Sequence, residues 1–487
     1  MKKNKQHQQN LAVLKNLHPQ ALWNHFAMLS AIPRKTHDET AVADYIVKIA
    51  KENKCDVLRD KHNNVLIRVK ATEGWENHPL LCLQSHMDMV TVPKNNYPGM
   101  FPLKLELTET GELRAIGTTL GADNGIGLAA MLALVTEKNV QHGKLELLVT
   151  TVEEDGLEGA EKFDYSWLQS KTIVNLDSEE WGELFVGCAG GVVIHGSFVP
   201  TYINAPKGYT PYTIDVKGLL SGHSGLKIGL GRANAIKLLQ LILSETSGYL
   251  HLVDISGGEK MNLIPFAASA TVLIWDAKKD EFDRTFQDVL REINQMYPNE
   301  SPQITYCESD INLVQVMDEE SLFLLTTLIE KIPNGPLTLE PNSETLVQTS
   351  SNIGVVRTTD TGEVQFEIFS RSSVSLEIEN VQKEIELFFK MYEGTTTVFM
   401  KFLPWEPQFD SNLVKYAVGV YKDTFNQEPK VVTIHAGLEC ALFFQKIPGV
   451  QLISFGPTIH GAHEIGEAVD VESVGEFWNF LCAFLVQ

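Results

Sequence analysis

The chain has 487 residues, 44% of them hydrophobic, and a formal net charge of -22, a soluble globular composition too long for one ordinary core that predicts two or three domains. The acidic balance argues against nucleic acid or an anionic membrane as partner. No apolar run reaches the roughly 20 residues of a membrane span, and the N-terminal Met1-Lys2-Lys3-Asn4-Lys5-Gln6-His7 leads into no signal-type apolar core. Six cysteines without C-x-x-C spacing point to a reducing cytoplasm rather than a disulfide framework or a cysteine-type zinc site.

The first element that bears on chemistry is the apolar run Leu80-Leu81-Cys82-Leu83, which predicts a buried strand leading into His86 and Asp88. Side chains alternate along a strand, so these two share a face. A ligating imidazole is ordinarily backed by a carboxylate that fixes its tautomer, which reads His86 as a ligand and Asp88 as its orienting group. Taken alone, an H-x-D is an ordinary strand end. Next, Asp123 stands in the glycine-rich turn Gly121-Ala122-Asp123-Asn124-Gly125 before the apolar stretch Ile126 to Leu134, which predicts a buried helix. A carboxylate there can bridge two cations or merely cap the helix. The run Leu145 to Val152 predicts another strand, with Glu153 and Glu154 facing opposite ways if the strand continues, one toward metal and one toward the attacking water. The apolar Ile173-Val174-Asn175-Leu176 then ends in Asp177. Three strand ends bearing acids suggest one rim of a sheet, where open α/β folds bind ligands.

The next candidate, His463 in Gly461-Ala462-His463, comes only near the C-terminus, so the sequence between must leave a catalytic domain and return. That stretch reads as doubled. Its first half has strands at Tyr212 to Val216 and Ala270 to Ile274 and helices around Ala233 to Leu243 and Phe282 to Ile293. The second half has strands near Ile304, Ile353 to Arg357 and Gln365 to Phe369, with helices at Ser321 to Ile332 and Glu379 to Met391. Asn262-Leu263-Ile264 and Asn352-Ile353-Gly354 stand at similar places in the two halves. The expected domains are residues 1–195 and 401–487 as a catalytic domain in two parts, and 196–400 as an inserted lid of two α+β lobes.

The order S-H-x-D, G-A-D-N-G-I-G, E-E-D-G-x-x-G-A, N-L-D and a late G-P-T-I-x-x-x-H resembles the aminoacyl-histidine dipeptidases, the Xaa-His or carnosine-cleaving branch of the co-catalytic zinc amidohydrolases. Gly222-His223-Ser224-Gly225, Asn262-Leu263-Ile264-Pro265, Thr349-Ser350-Ser351-Asn352 and His435-Ala436-Gly437-Leu438-Glu439-Cys440 extend the match along nearly the whole chain. The fold this implies is an α/β catalytic sandwich with a central mixed sheet, interrupted by a doubled α+β lid of the dimerisation type. The resemblance implies two divalent ions per chain, zinc by preference with manganese or cobalt as alternatives. Asp123 would bridge them, with His86 and Asp177 on one ion and Glu154 and His463 on the other. Glu153 would be general base and then acid, Asp88 would orient His86, and the Asp123-Asn124 peptide would be cis. His223 would polarise the scissile carbonyl, while Asn262 and Arg371 would hold substrate. After the late histidine the chain reads His463-Glu464-Ile465-Gly466-Glu467, where relatives continue with Ser or Thr, then Pro and an acid. Glu467 keeps the acid, and His460 becomes a competing ligand.

The expected activity is hydrolysis of dipeptides with a free C-terminus, Xaa-His favoured, through water activated by the two ions, since coordination lowers its pKa to about 7. An N-acyl amino acid deacylase or tripeptidase is the alternative enzyme, and a non-catalytic metal-dependent binding protein the alternative of another class. No cysteine nucleophile is needed, and Cys82 and Cys440 read as small buried hydrophobes. The partner is a dipeptide substrate, without nucleic acid or membrane, and the chain is expected to be a cytoplasmic monomer or homodimer.

Overall fold

A computed structural model describes residues 5–94, 101–310, 315–341 and 343–486. Two compact units emerge: one comprises the chain up to Cys188, Pro407–Thr433 and everything from Leu438 on, and the other Ala189–Glu406 with Ile434–Gly437.

The first unit is organised by an eight-stranded mixed sheet. Its strands lie in the order Asp56–Arg59, Val65–Val69, Leu145–Thr150, Leu81–His86, Thr172–Asn175, Gln451–Ser454, Glu183–Cys188 and Lys430–Ile434. The four from Leu145–Thr150 to Gln451–Ser454 run parallel to one another. Their sequences are rich in apolar residues because helices cover a parallel sheet on both faces, and every residue of Leu145–Thr150 is buried. The apolar run after Asp123 becomes the helix Ala122–Thr136, buried at nearly every position. It packs in one hydrophobic core with Leu22, Trp23 and Phe26 of the helix Gln20–Leu29 and with Phe477, Phe480 and Leu481 of the helix Val471–Phe484.

The second unit is doubled, with a connectivity that differs from the expected one. Its sheet order is Gln303–Glu308, Tyr209–Lys217, Ala268–Trp275, Leu250–Gly257, then Val347–Thr358, Val364–Ser372, Gly190–Phe198 and Thr395–Phe402. Each half is a β-α-β-β-α-β unit: the strand Gln303–Glu308 pairs with Tyr209–Lys217 and so completes the first half instead of opening the second. The second half takes its first strand, Gly190–Phe198, from upstream of the first half, and that strand pairs with Val364–Ser372 and Thr395–Phe402. The halves meet through Ser256 opposite Arg357 and Gly257 opposite Val356. The two asparagine motifs are not equivalent positions: Asn352 lies inside a strand and donates through Nδ2 to the carbonyls of Met261 and Leu263 at 3.2 and 2.8 Å. The helices Ala235–Glu245, Lys279–Met296, Glu319–Lys331 and Ser375–Met391 contribute to one core over this sheet, built from residues such as Leu239, Phe286, Leu325 and Phe389. Among the described residues no helix is long and apolar enough to cross a membrane.

Candidate active site

The four parallel strands of the first unit end on one rim, and the acids expected there converge on it. His86 closes its own strand with its Nε2 3.0 Å from Asp123 Oδ1 and 3.2 Å from Asp177 Oδ1. The other Asp123 oxygen faces His463 Nε2 at 3.0 Å, and His463 Nε2 lies 2.8 Å from Glu154 Oε2. Three groups of donors lie within 4.8 Å of one another: His86, Glu153 and Glu154 form one, and the other two are His86, Asp123, Asp177 and Asp123, Glu154, His463. The last two share only Asp123, as a bridging carboxylate requires. Imidazole nitrogens and carboxylate oxygens suit zinc, manganese or cobalt alike, and Glu154 Oε1 is buried without a hydrogen-bond partner. The excess of anions shows in the imidazoles: burial lowers the pKa of His463, yet hydrogen bonds and charge from Asp123 and Glu154 push it up to about 11. The donor set fits two divalent ions and makes a dinuclear metal-binding site.

The strand before Glu153 and Glu154 does not continue as expected. It stops at Thr150, and Val152 takes a left-handed backbone with φ of 49°, a conformation seldom adopted by a β-branched residue. The turn replaces strand alternation, and both glutamates face the cluster, Glu153 Oε2 lying 4.0 Å from His86 Nε2. Asp88 helps to hold this turn, accepting the backbone N–H of Glu153 at 3.1 Å and that of Glu154 at 3.3 Å. Its Oδ1 also lies 3.4 Å from His86 Nδ1. Burial, opposed by His86 and reinforced by Asp177, Glu154 and Glu439, pushes the Glu153 carboxyl well above the usual carboxylate range.

Asp123 does not cap its helix. Its backbone is non-helical, the cap position belongs to Gly121, and no side chain caps the helix. The Asp123-Asn124 peptide is cis, and Asn124 Nδ2 donates to Asp177 Oδ1. His460 is exposed at 59% and stands beside Glu112 at 3.8 Å, outside the cluster. Cys82 and Cys440 are fully buried free thiols. Two buried groups carry no local signal in the sequence: Arg34, and Glu439, whose Oε2 accepts from Gln84 Nε2 at 2.5 Å and Thr150 Oγ1 at 2.8 Å. Glu439 belongs to the H-A-G-L-E motif, and that company was its only clue.

The second unit gathers His223, Asn262 and Arg371. An isolated bridge pairs His223 with Leu263, and the Asn262 carbonyl accepts from Ser224 N at 2.9 Å. Arg371 is not a strand end on the surface; it sits inside Val364–Ser372, 5% exposed, stacked 3.9 Å from the centroid of Phe369. His223 Nδ1 accepts the backbone N–H of Gly225 and of Leu226, both at 3.2 Å, which places the neutral ring's proton on Nε2. Arg371 Nη2 lies 3.4 Å from that Nε2. Two donors side by side suit a shared acceptor oxygen better than each other.

Comparison with known proteins agrees with this geometry. Residues 82–487 match the model of peptidase family M20/M25/M40. The chain is 36% identical to the cytosol non-specific dipeptidase of Escherichia coli over 484 residues, 98% of this chain and 99% of that one. The crystal structure of an aminoacylhistidine dipeptidase from Vibrio alginolyticus superposes with a TM-score of 0.85 at 32% identity, covering 97% of each chain. A tripeptidase from Staphylococcus aureus, at 16% identity and a TM-score of 0.60 over 96% of this chain and 98% of its own, shares the fold. With a dinuclear site at the rim of its mixed sheet and this likeness along its length, the chain belongs to peptidase family M20/M25/M40 and is a metallopeptidase.

Proposed function

We propose that the chain is a dipeptidase that cleaves dipeptides with a free C-terminus and favours Xaa-His, with Glu153 as the proton-transfer group. The observation that carries the reading is the pair of ligand groups joined through Asp123 with Glu153 beside them. The likeness to a non-specific dipeptidase and to an aminoacylhistidine dipeptidase supports the substrate class. His86 and Asp177 would hold one ion, Glu154 and His463 the other, and Asp123 both. Bound there, the ions supply Lewis acidity and make a water nucleophilic near neutral pH.

The protein's own groups do the rest. Glu153 takes a proton from the attacking water on its carboxylate and returns it to the leaving amine, so one side chain acts as base and then acid. Asp88 fixes His86 and the turn that presents Glu153. His223 Nε2–H would donate to the carbonyl oxygen as negative charge develops. Arg371, rigidly stacked, offers a guanidinium to the terminal carboxylate, and Asn262 would orient the bound peptide.

A hydrolysis panel tests the reading: the metal-free protein is reloaded separately with zinc, manganese and cobalt and offered Xaa-His dipeptides, other dipeptides, tripeptides and N-acyl amino acids. The expected result is hydrolysis of dipeptides, fastest for Xaa-His. Activity confined to N-acyl amino acids or tripeptides would replace the proposal with the alternative enzymes, and binding without turnover would leave a metal-dependent binding protein.

A further inference from the structure

Asp123 stands at the end of a turn whose backbone is gripped from two directions by side chains that are not ligands. Glu467, 2% exposed, accepts the N–H groups of Leu120 and Gly121 on Oε2 at 2.7 and 2.8 Å and that of Ala122 on Oε1 at 2.7 Å. Arg34, fully buried, donates through Nη1 to the carbonyls of Asp88 and Met87 at 2.9 and 3.2 Å and through Nη2 to the carbonyl of Gly121. One peptide group therefore receives both grips. Arg34 ties it to the segment after His86, and Glu467 ties it to the segment after His463. The fit leaves no slack at Gly121, whose φ is +67° and where a Cβ would stand 2.4 Å from Arg34 Nη2 and 2.6 Å from Met89 Sδ.

We propose that Arg34 and Glu467 are positioning residues for the bridging carboxylate, setting Asp123 between His86 and His463 so that both ions are held at once. The inference rests on the reading of Asp123 as the bridge. Guanidinium geometry suits the task because its fork reaches two loops together, whereas a lysine ammonium is a point donor. Both oxygens of Glu467 accept N–H groups, so Glu467→Gln would set an amide N–H against a backbone donor. An isosteric change is thus expected to act nearly as severely as truncation.

The experiment compares Glu467→Gln, Glu467→Ala and Arg34→Lys with the wild type. It reads the affinity and stoichiometry of zinc against a competing chelator, kcat and KM at saturating zinc, and Tm. Groups that orient ligands typically cost about 10- to 100-fold in metal affinity when removed. The expected result is a loss of that size for the more weakly held ion and a lower kcat with KM little changed. At limiting zinc the turnover should fall further and recover in part as zinc is raised to saturation. Folded variants that bind two ions with wild-type affinity and turn over normally, with only Tm lowered, would overturn the proposal.

A measurement on the unmutated metal-free protein keeps the idea testable if the variants do not fold. The amides of Leu120, Gly121 and Ala122 should be protected from hydrogen exchange before any ion binds, and fast exchange at all three would overturn the clamp. Asp123→Asn separates the two readings. If it keeps both ions, the bridge itself fails; if it loses them while Glu467→Gln and Arg34→Lys do not, only the clamp fails.

Discussion

The backbone N–H of Glu153 donates to Asp88 Oδ1 at 3.1 Å, so the acid behind His86 also fixes the backbone of Glu153, the proposed general base. The turn is set independently of the Glu153 side chain. Glu153→Gln is accordingly expected to keep both ions and lose about a hundredfold or more in kcat, the range for removing a general base. Metal analysis beside kinetics checks it, and near-normal turnover in the fully metallated variant would sink the assignment.

Asp123→Ala is expected to lose both ions, because His86 and His463 would then face each other's sites without the anion that offsets two adjacent cations. A helix-capping role predicts only about 1 kcal/mol of lost stability. Zinc content of the purified variant decides between them: two ions at normal affinity would remove the bridge.

For His223→Ala the expected effect is a lower kcat with metal content unchanged, since a donor to the developing oxyanion acts mainly in the transition state. About a hundredfold is the scale for losing one such donor. If the imidazole serves only the loop Gly222–Gly225, Tm will fall and kcat will not.

His25 provides a pH test away from the metals. It is buried between the Tyr45 hydroxyl at 2.9 Å and Thr136 Oγ1 at 3.0 Å, and burial lowers its pKa from 6.5 to about 4. The unfolded chain therefore binds a proton that the folded chain refuses, so its contribution to stability is complete above pH 6.5 and is lost as pH falls toward about 4. The slope is at most ~1.4 kcal/mol per pH unit. Urea unfolding of wild type and His25→Gln should show the stability gap between them narrowing across that window. A gap independent of pH would mean that the histidine is not held neutral.

The site was legible where chemistry coincided with local pattern. Apolar strands ending in His86 and Asp177 announce themselves because both faces of the sheet are covered and the polar residue marks the rim. The turn at Val152 was not legible, since a β-branched residue after a β-forming run argues for more strand, and only tertiary contacts such as those from Asp88 override it. Nor was Arg34, a single arginine whose three carbonyl partners come from distant segments. In the inserted domain, the helices and inner strands follow their hydrophobic periods. The strand Thr395–Phe402 does not: it is mostly exposed and lies at the sheet edge, so no alternation betrays it. Gly190–Phe198 opens on two glycines and was hidden by its distance from the half it completes.

That distance makes the chain a set of nested parentheses. Residues 209–308 form the inner half of the inserted domain and lie in the chain between Gly190–Phe198 and the remainder of the outer half, which closes at Phe402. The outer half in turn lies between strands of the catalytic sheet, whose Gln451–Ser454 is inserted between Thr172–Asn175 and Glu183–Cys188. During synthesis the brackets close from the inside outward. The inner half has all its strands once residue 308 is made, the outer half waits for residue 402, and the catalytic sheet keeps an open slot at its centre until residue 454 has emerged. A ribosome-bound chain stopped short of Gln451 would carry a finished inserted domain and an unfinished catalytic sheet, and His463, made later still, is the last candidate ligand to arrive.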